Sequence, residues 1–86
     1  MEPYKVIKHP LSTEKSIRLM ESENKMIFVV DKNAKKQDIK NAVEEVFKVK
    51  VTKINTLTSQ NGQKRAYVKF SMETPAIDIA TQLGLI

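Results

Sequence analysis

The chain has 86 residues, 41% of them hydrophobic, which suits one small domain over residues 1–86 with a modest core. Fifteen Lys and Arg against ten Asp and Glu give a net charge of +5, a balance that attracts a polyanion such as RNA, DNA or an acidic membrane face, or else serves solubility alone. Having no cysteine, one histidine (His9) and two glycines (Gly62, Gly84), the chain excludes disulfides, Cys-based zinc sites, His clusters and the Gly-rich cradles of nucleotide-binding folds.

Residues 4–8 read as a short strand ended by His9-Pro10, and no apolar signal-peptide core follows the start of the chain. Ser12 or Thr13 is placed to cap a helix running to about Glu23, with Glu14 favourable in its first turn. Lys25 to Val30 is apolar on both faces, Ile27 and Val29 on one and Met26, Phe28 and Val30 on the other. Such a strand is central, and its pattern predicts cover above and below the sheet. Met26–Val30 is also the longest apolar run, far short of a membrane helix.

After the polar connection Asp31-Lys32-Asn33, a helix is expected over roughly Lys35 to Phe47. Its buried stripe is Ile39, Ala42, Val43, Val46 and Phe47; Lys36, Lys40, Asn41 and Glu44 face outward as a solvated surface. A hairpin follows: Val49 to Leu57, Asn61-Gly62, then Lys64 to Phe70. Val49 and Val51 share parity but Ile54 does not, which a bulge near Thr52 or burial on both faces would explain. Thr74-Pro75 opens a last helix as cap and first residue, apolar at Ala76, Ile77, Ile79, Ala80 and Leu83, and Gly84 ends it in the left-handed conformation. The order β-α-β-α-β-β-α predicts an α+β fold: a four-stranded, mostly antiparallel sheet with the central helix on one face and the other helices at its edges or on the other face.

No catalytic constellation emerges. Nucleophilic catalysis needs a base beside a Ser, Thr or Cys, and His9, in a loop, is the single imidazole. Glu44-Glu45 and Glu21/Glu23 sit in polar surroundings as solubilising charges. What the residues offer is cations near hydrogen-bonding and aromatic groups. Lys5, Lys8 and His9 lie around the first strand, Lys15 opens the first helix, and Lys35 and Lys36 start the second. Lys53, Asn55 and Thr56 share one hairpin strand. On the other, Ala66, Val68 and Phe70 point one way and Arg65, Tyr67 and Lys69 the other, with Lys64 adjoining. Two cations around one aromatic ring suit a phosphate backbone with bases nearby. Tyr67 fits stacking on a base and packing under a helix equally.

Several boxes together resemble a known family. Val6-Ile7-Lys8-His9-Pro10 with Thr13-Glu14-Lys15 is similar to the N-terminal box of the L-twenty-three family of large-subunit ribosomal proteins, in its archaeal and eukaryotic form. Ile39-Lys40-Asn41-Ala42-Val43-Glu44 with Phe47 and Val49, then Val51 and Asn55-Thr56-Leu57, resemble its central helix and the strand after it. Lys64-Arg65-Ala66-Tyr67-Val68-Lys69 resembles the family signature, and Ile79-Ala80 with Leu83-Gly84 the archaeal ending. The resemblance implies a structural protein with no cofactor that works in the cytoplasm, in the ribosome. It implies binding of large-subunit ribosomal RNA beside the exit of the polypeptide tunnel, next to a small protein of the L-twenty-nine family. It also implies part of the docking surface for signal recognition particle and the translocon. Glu14 matches the acidic position that docks a chaperone in bacterial members. Two departures stand out: Thr58 to Gln63 is short where bacterial members carry a long loop into the tunnel, and Phe70 replaces the usual Leu.

Two other readings compete. Ala66-Tyr67-Val68-Lys69-Phe70 matches half of the aromatic box of an RNA-recognition module of the RRM class, but Lys64 and Arg65 stand where Gly and an aromatic are expected, and the element order differs. A protein–protein adaptor without RNA would present the last helix, through Ile77, Ile79 and Leu83.

Overall fold

The computed structural model describes residues 3–84; the first two and last two residues lie outside the described part. The elements are α1 (Pro3–Val6), β1 (Ile7–Pro10), α2 (Glu14–Glu23), β2 (Lys25–Val30), α3 (Lys36–Phe47), β3 (Val51–Thr58), β4 (Lys64–Phe70) and α4 (Ala76–Gln82). The strands form one sheet in the order β1-β2-β4-β3. Each neighbouring pair is antiparallel, so β2 and β3 run the same way with β4 inserted between them. Helix α3 is the long crossover that such a split pair requires. The fold is the expected α+β sheet, apart from the extra N-terminal turn.

One core holds the two layers together. Met26, Phe28 and Val30 of β2 and Ala66, Val68 and Phe70 of β4 point into it, against Val6, Met20, Ile39, Ala42, Val43, Ala76, Ile79 and Ala80 from the helices. Phe28, fully buried, stacks on Phe47 of α3 with ring centroids 5.7 Å apart. Replacing Phe28 by Ala would cost about 3–5 kcal/mol through lost transfer energy and the cavity left behind. Among the described residues, every helix contributes to this one core and therefore lies on the same side of the sheet.

That placement corrects the expectation of cover on both faces. Ile27 and Val29 are only 2% and 3% exposed, yet they do not belong to the helix-side core. Their register neighbours are Tyr67 and Arg65, and the Leu11 N–H binds the Ile27 carbonyl at 2.8 Å. Long side chains beside two short β-branched ones exclude water without a second helical layer.

The N-terminal strand is also displaced. Residues 3–6 form a helical turn and pairing begins at Ile7. Proline at the first helical position is pre-set for the turn, and its end is anchored: Val6 is buried and its carbonyl accepts the Asp31 N–H at 2.8 Å. Helix α2 is capped by Thr13, whose hydroxyl accepts the Ser16 N–H at 3.2 Å, while the buried Ser16 hydroxyl accepts the Thr13 N–H at 2.8 Å. Glu44 does not face outward. Its carboxylate accepts the Val51 N–H at 3.1 Å and so fixes where β3 starts. In α3 the buried residues are Ile39, Ala42 and Val43; Val46 and Phe47 are half-buried.

Thr74 does not cap α4. Pro75 takes the cap position without a side-chain cap bond, and the acceptor for the Ala76 N–H is the Asn24 side-chain carbonyl at 2.6 Å. Asn24 itself ends α2 in the left-handed conformation, φ 56°. Its amide donates to the carbonyls of Phe70, Ser71 and Thr74 at 3.3, 3.1 and 3.0 Å. Gly84 follows α4 at φ 74°, as expected of a left-handed terminator.

Candidate nucleic-acid interface

Directly opposed residues of an antiparallel pair point to the same face. The register therefore writes out the face that, among the described residues, no helix covers. Its first row is Lys25–Lys69–Lys53, its second Ile27–Tyr67–Asn55, and its third Val29–Arg65–Leu57. His9 opposes Val29 and extends the third row onto β1.

Two bulges make this array possible. Between Val51 and Lys53 the register slips by one residue against β4. Thr52 is the extra residue, and its hydroxyl donates to the Lys69 carbonyl at 3.2 Å. Without it, Val51 and Ile54 could not both face the core while Lys53 and Asn55 face away. A second slip between Ile7 and His9 makes Lys8 the extra residue of β1. It leaves Ile7 on the core side and turns His9 to the open face.

The first row sets three lysines at directly opposed positions across three strands. Like charges directly opposite one another are destabilising, so the row works against the isolated fold. Only Lys25 has a counter-charge among the described ion pairs: Glu23 lies 3.1 Å from its Nζ. In the third row Arg65 Nε donates to Gln63 Oε1 at 3.0 Å, which orients the guanidinium along the strand. Tyr67, half-buried between these rows, is the one aromatic residue of the open face among the described residues. The reading of Tyr67 as packed under a helix is therefore corrected. Leu57, 57% exposed at the end of the third row, adds apolar surface.

At the hairpin end of the sheet lies a polar groove of about 610 Å³ whose lining includes Lys8, His9, Asp31, Lys32, Gly62 and Lys64. The hairpin loop bordering it is a five-residue loop, Ser59 to Gln63, closed by the Ser59 N–H on the Gln63 carbonyl at 2.8 Å. Asn61-Gly62 does not form a two-residue turn. Gly62 instead follows a turn in which its N–H binds the Ser59 carbonyl at 3.0 Å, and it takes φ 81°.

The remaining expected residues are spread over other surfaces. Thr56 opposes Ala66 and faces the helix layer. Lys64 does too: its Nζ donates to the Ala34 carbonyl at 2.7 Å, tying β4 to the loop before α3. Lys5 lies on α1, and Lys15 and Glu14 are exposed in the first turn of α2. Lys35 and Lys36 are exposed at the start of α3, where the Asp38 carboxylate already accepts the Lys35 N–H at 3.1 Å. Lys36 shares a shallow groove of about 170 Å³ with Lys53 at the β3 edge. Lys25 and Lys32 are the cations that sequence reasoning passed over. The signal for Lys25 was its parity with Ile27 and Val29. Among the described residues no cluster of three His, Asp or Glu side chains could hold a metal ion, and no helix is long and apolar enough to cross a membrane.

A helix layer on one side and a cationic, aromatic-centred sheet face on the other define a two-layer α+β domain. Residues 5–80 match the family model of ribosomal protein L23. Over 85 residues the chain is 46% identical to the large ribosomal subunit protein uL23 of Methanococcus aeolicus, covering 99% of both chains. The chain belongs to the ribosomal protein L23 family. It is thus a ribosomal protein of the large subunit, of archaeal type, from a family of structural proteins of the cytoplasmic ribosome.

Proposed function

We propose that the open sheet face binds large-subunit ribosomal RNA. The observation that carries this reading is the row Lys25–Lys69–Lys53, three directly opposed cations on a face no helix covers. Phosphates relieve the repulsion within such a row and release counterions as they dock, so binding is steeply salt-dependent. Arg65 continues the positive surface, and His9 beside it leads on to Lys8 and Lys32 in the end groove.

The helix layer then faces protein. It carries Glu14, Glu21 and Glu23 on α2 and borders a groove that includes Met72, 97% exposed, and Ile77. Membership of the family supports a finer reading: a place beside the exit of the polypeptide tunnel, next to a protein of the L-twenty-nine family. There the helix layer would form part of the docking surface for signal recognition particle and the translocon.

The test is binding of purified protein to large-subunit ribosomal RNA at several salt concentrations, against an Arg65→Ala/Lys69→Ala variant. Tight binding that weakens with salt and is lost in the folded variant supports the reading. Equal, weak binding by both proteins contradicts it and leaves the charge as a solubility device.

A further inference from the structure

We infer that the RNA presented to this face includes an unpaired nucleotide whose base stacks on Tyr67. The inference rests on the ribosomal-RNA reading and narrows it, since a protein that recognises only paired RNA needs phosphate and 2′-hydroxyl contacts but no aromatic platform.

Three observations converge on Tyr67. It sits in the middle row, with the lysine row on one side and Arg65 on the other. Successive same-face residues of a strand lie about 6.7 Å apart, so both cationic rows are within reach of the phosphates of one nucleotide. Its neighbours across the strands are Ile27, nearly fully buried, and Asn55, exposed. Tyr67 therefore has an apolar floor on one side, and on the other a carboxamide that both donates and accepts hydrogen bonds to a base edge. Finally, the other aromatic side chains described, Phe28, Phe47 and Phe70, belong to or pack against the core. Among the described residues one ring is left where a base could lie, flanked by cations. This is the arrangement that single-stranded nucleic acid uses for stacking and charge neutralisation together.

The experiment measures affinity for in vitro transcribed full-length large-subunit ribosomal RNA and for a fully paired RNA hairpin. The proteins are the natural one, Tyr67→Phe, Tyr67→Leu and Lys69→Gln, each checked for folding by thermal melting. Tyr67→Phe keeps the ring and is expected to bind the ribosomal RNA as the natural protein does. Tyr67→Leu is expected to lose about tenfold or more there and to match the natural protein on the paired hairpin. Short-wavelength irradiation of the unsubstituted complex gives a reading that does not depend on a variant folding: the nucleotide adduct is expected on the peptide containing Tyr67. If Tyr67→Leu binds ribosomal RNA as tightly as the natural protein while Lys69→Gln is weakened, stacking is overturned and the sheet face stands. If neither substitution weakens binding, the reading of the face itself falls.

Discussion

Lys69 faces Lys25 across one strand pair and Lys53 across the other, so a single residue of β4 has a like charge as its direct neighbour on both sides. Glu23 offsets the charge on Lys25 alone, at 3.1 Å. The isolated protein should register this repulsion. Lys69→Gln is expected to melt no lower than the natural protein at low salt, and slightly higher. The difference should vanish as added salt shortens the screening length to about 3 Å at 1 M. Thermal denaturation at two ionic strengths checks it.

Asn24 is expected to be the most sensitive polar position. Its backbone closes α2, and its side chain holds the end of β4 and receives the first N–H of α4. Asn24→Ala loses these bonds, worth about 1 kcal/mol each, and places a Cβ without compensation in the left-handed region. A loss of about 2–4 kcal/mol in urea denaturation is expected. Asn24→Gly loses the same bonds without the conformational strain and should be the milder change, by about 1 kcal/mol.

Lys64 separates structure from binding. Its ammonium is committed to the Ala34 carbonyl on the helix side, 2.7 Å away. Lys64→Met is expected to lower stability by about 1–2 kcal/mol while leaving the salt dependence of RNA binding nearly unchanged. Lys69→Gln should behave the opposite way, keeping stability and reducing the slope of log K against log salt by about 1. Denaturation and salt-titrated binding of the two variants decide it.

Thr52 is the extra residue of the β3 bulge. Removing it should leave Val51 on the core and Lys53 off it, because the deletion restores the ordinary alternation. Removing Asn55 instead puts one half of the strand out of phase, turning Ile54 off the core and Lys53 onto it, or Thr56 off the helix side and Leu57 onto it. The Thr52 deletion is therefore expected to fold and melt cooperatively, and the Asn55 deletion to be far less stable.

Local pattern made much of this legible. The alternation in β4 set Ala66, Val68 and Phe70 on the core, the broken parity of Val51 and Ile54 pointed to the bulge, and Gly84 marked the end of the chain's last helix. What failed depended on contacts distant in sequence. Asn24 meets Ala76 fifty-two positions away, and no local rule for Thr74-Pro75 could anticipate that. The apolar pattern on both faces of β2 predicts cover above and below but does not say what supplies it, because burial beside Tyr67 and Arg65 looks the same in sequence as burial under a helix. Thr56 and Lys64 were grouped with their chain neighbours, although adjacent strand residues face opposite ways. Beyond its parity with Ile27, Lys25 carries no local signal of its role, because its row exists only once β2 is placed beside β4.

If the open face, and not the overall charge of the domain, holds ribosomal RNA, charge removed from that face must matter more than charge removed elsewhere. The direct measurement compares two variants with the same net charge, Lys25/Lys53/Lys69→Gln on the open face and Lys15/Lys35/Lys36→Gln on the helix layer. Each loses three positive charges from +5, leaving +2. Affinity for large-subunit ribosomal RNA is measured across a salt series, with folding checked by melting. The open-face variant is expected to lose most of its affinity and salt dependence, while the helix-layer variant stays close to the natural protein. Equal losses in the two variants would contradict it.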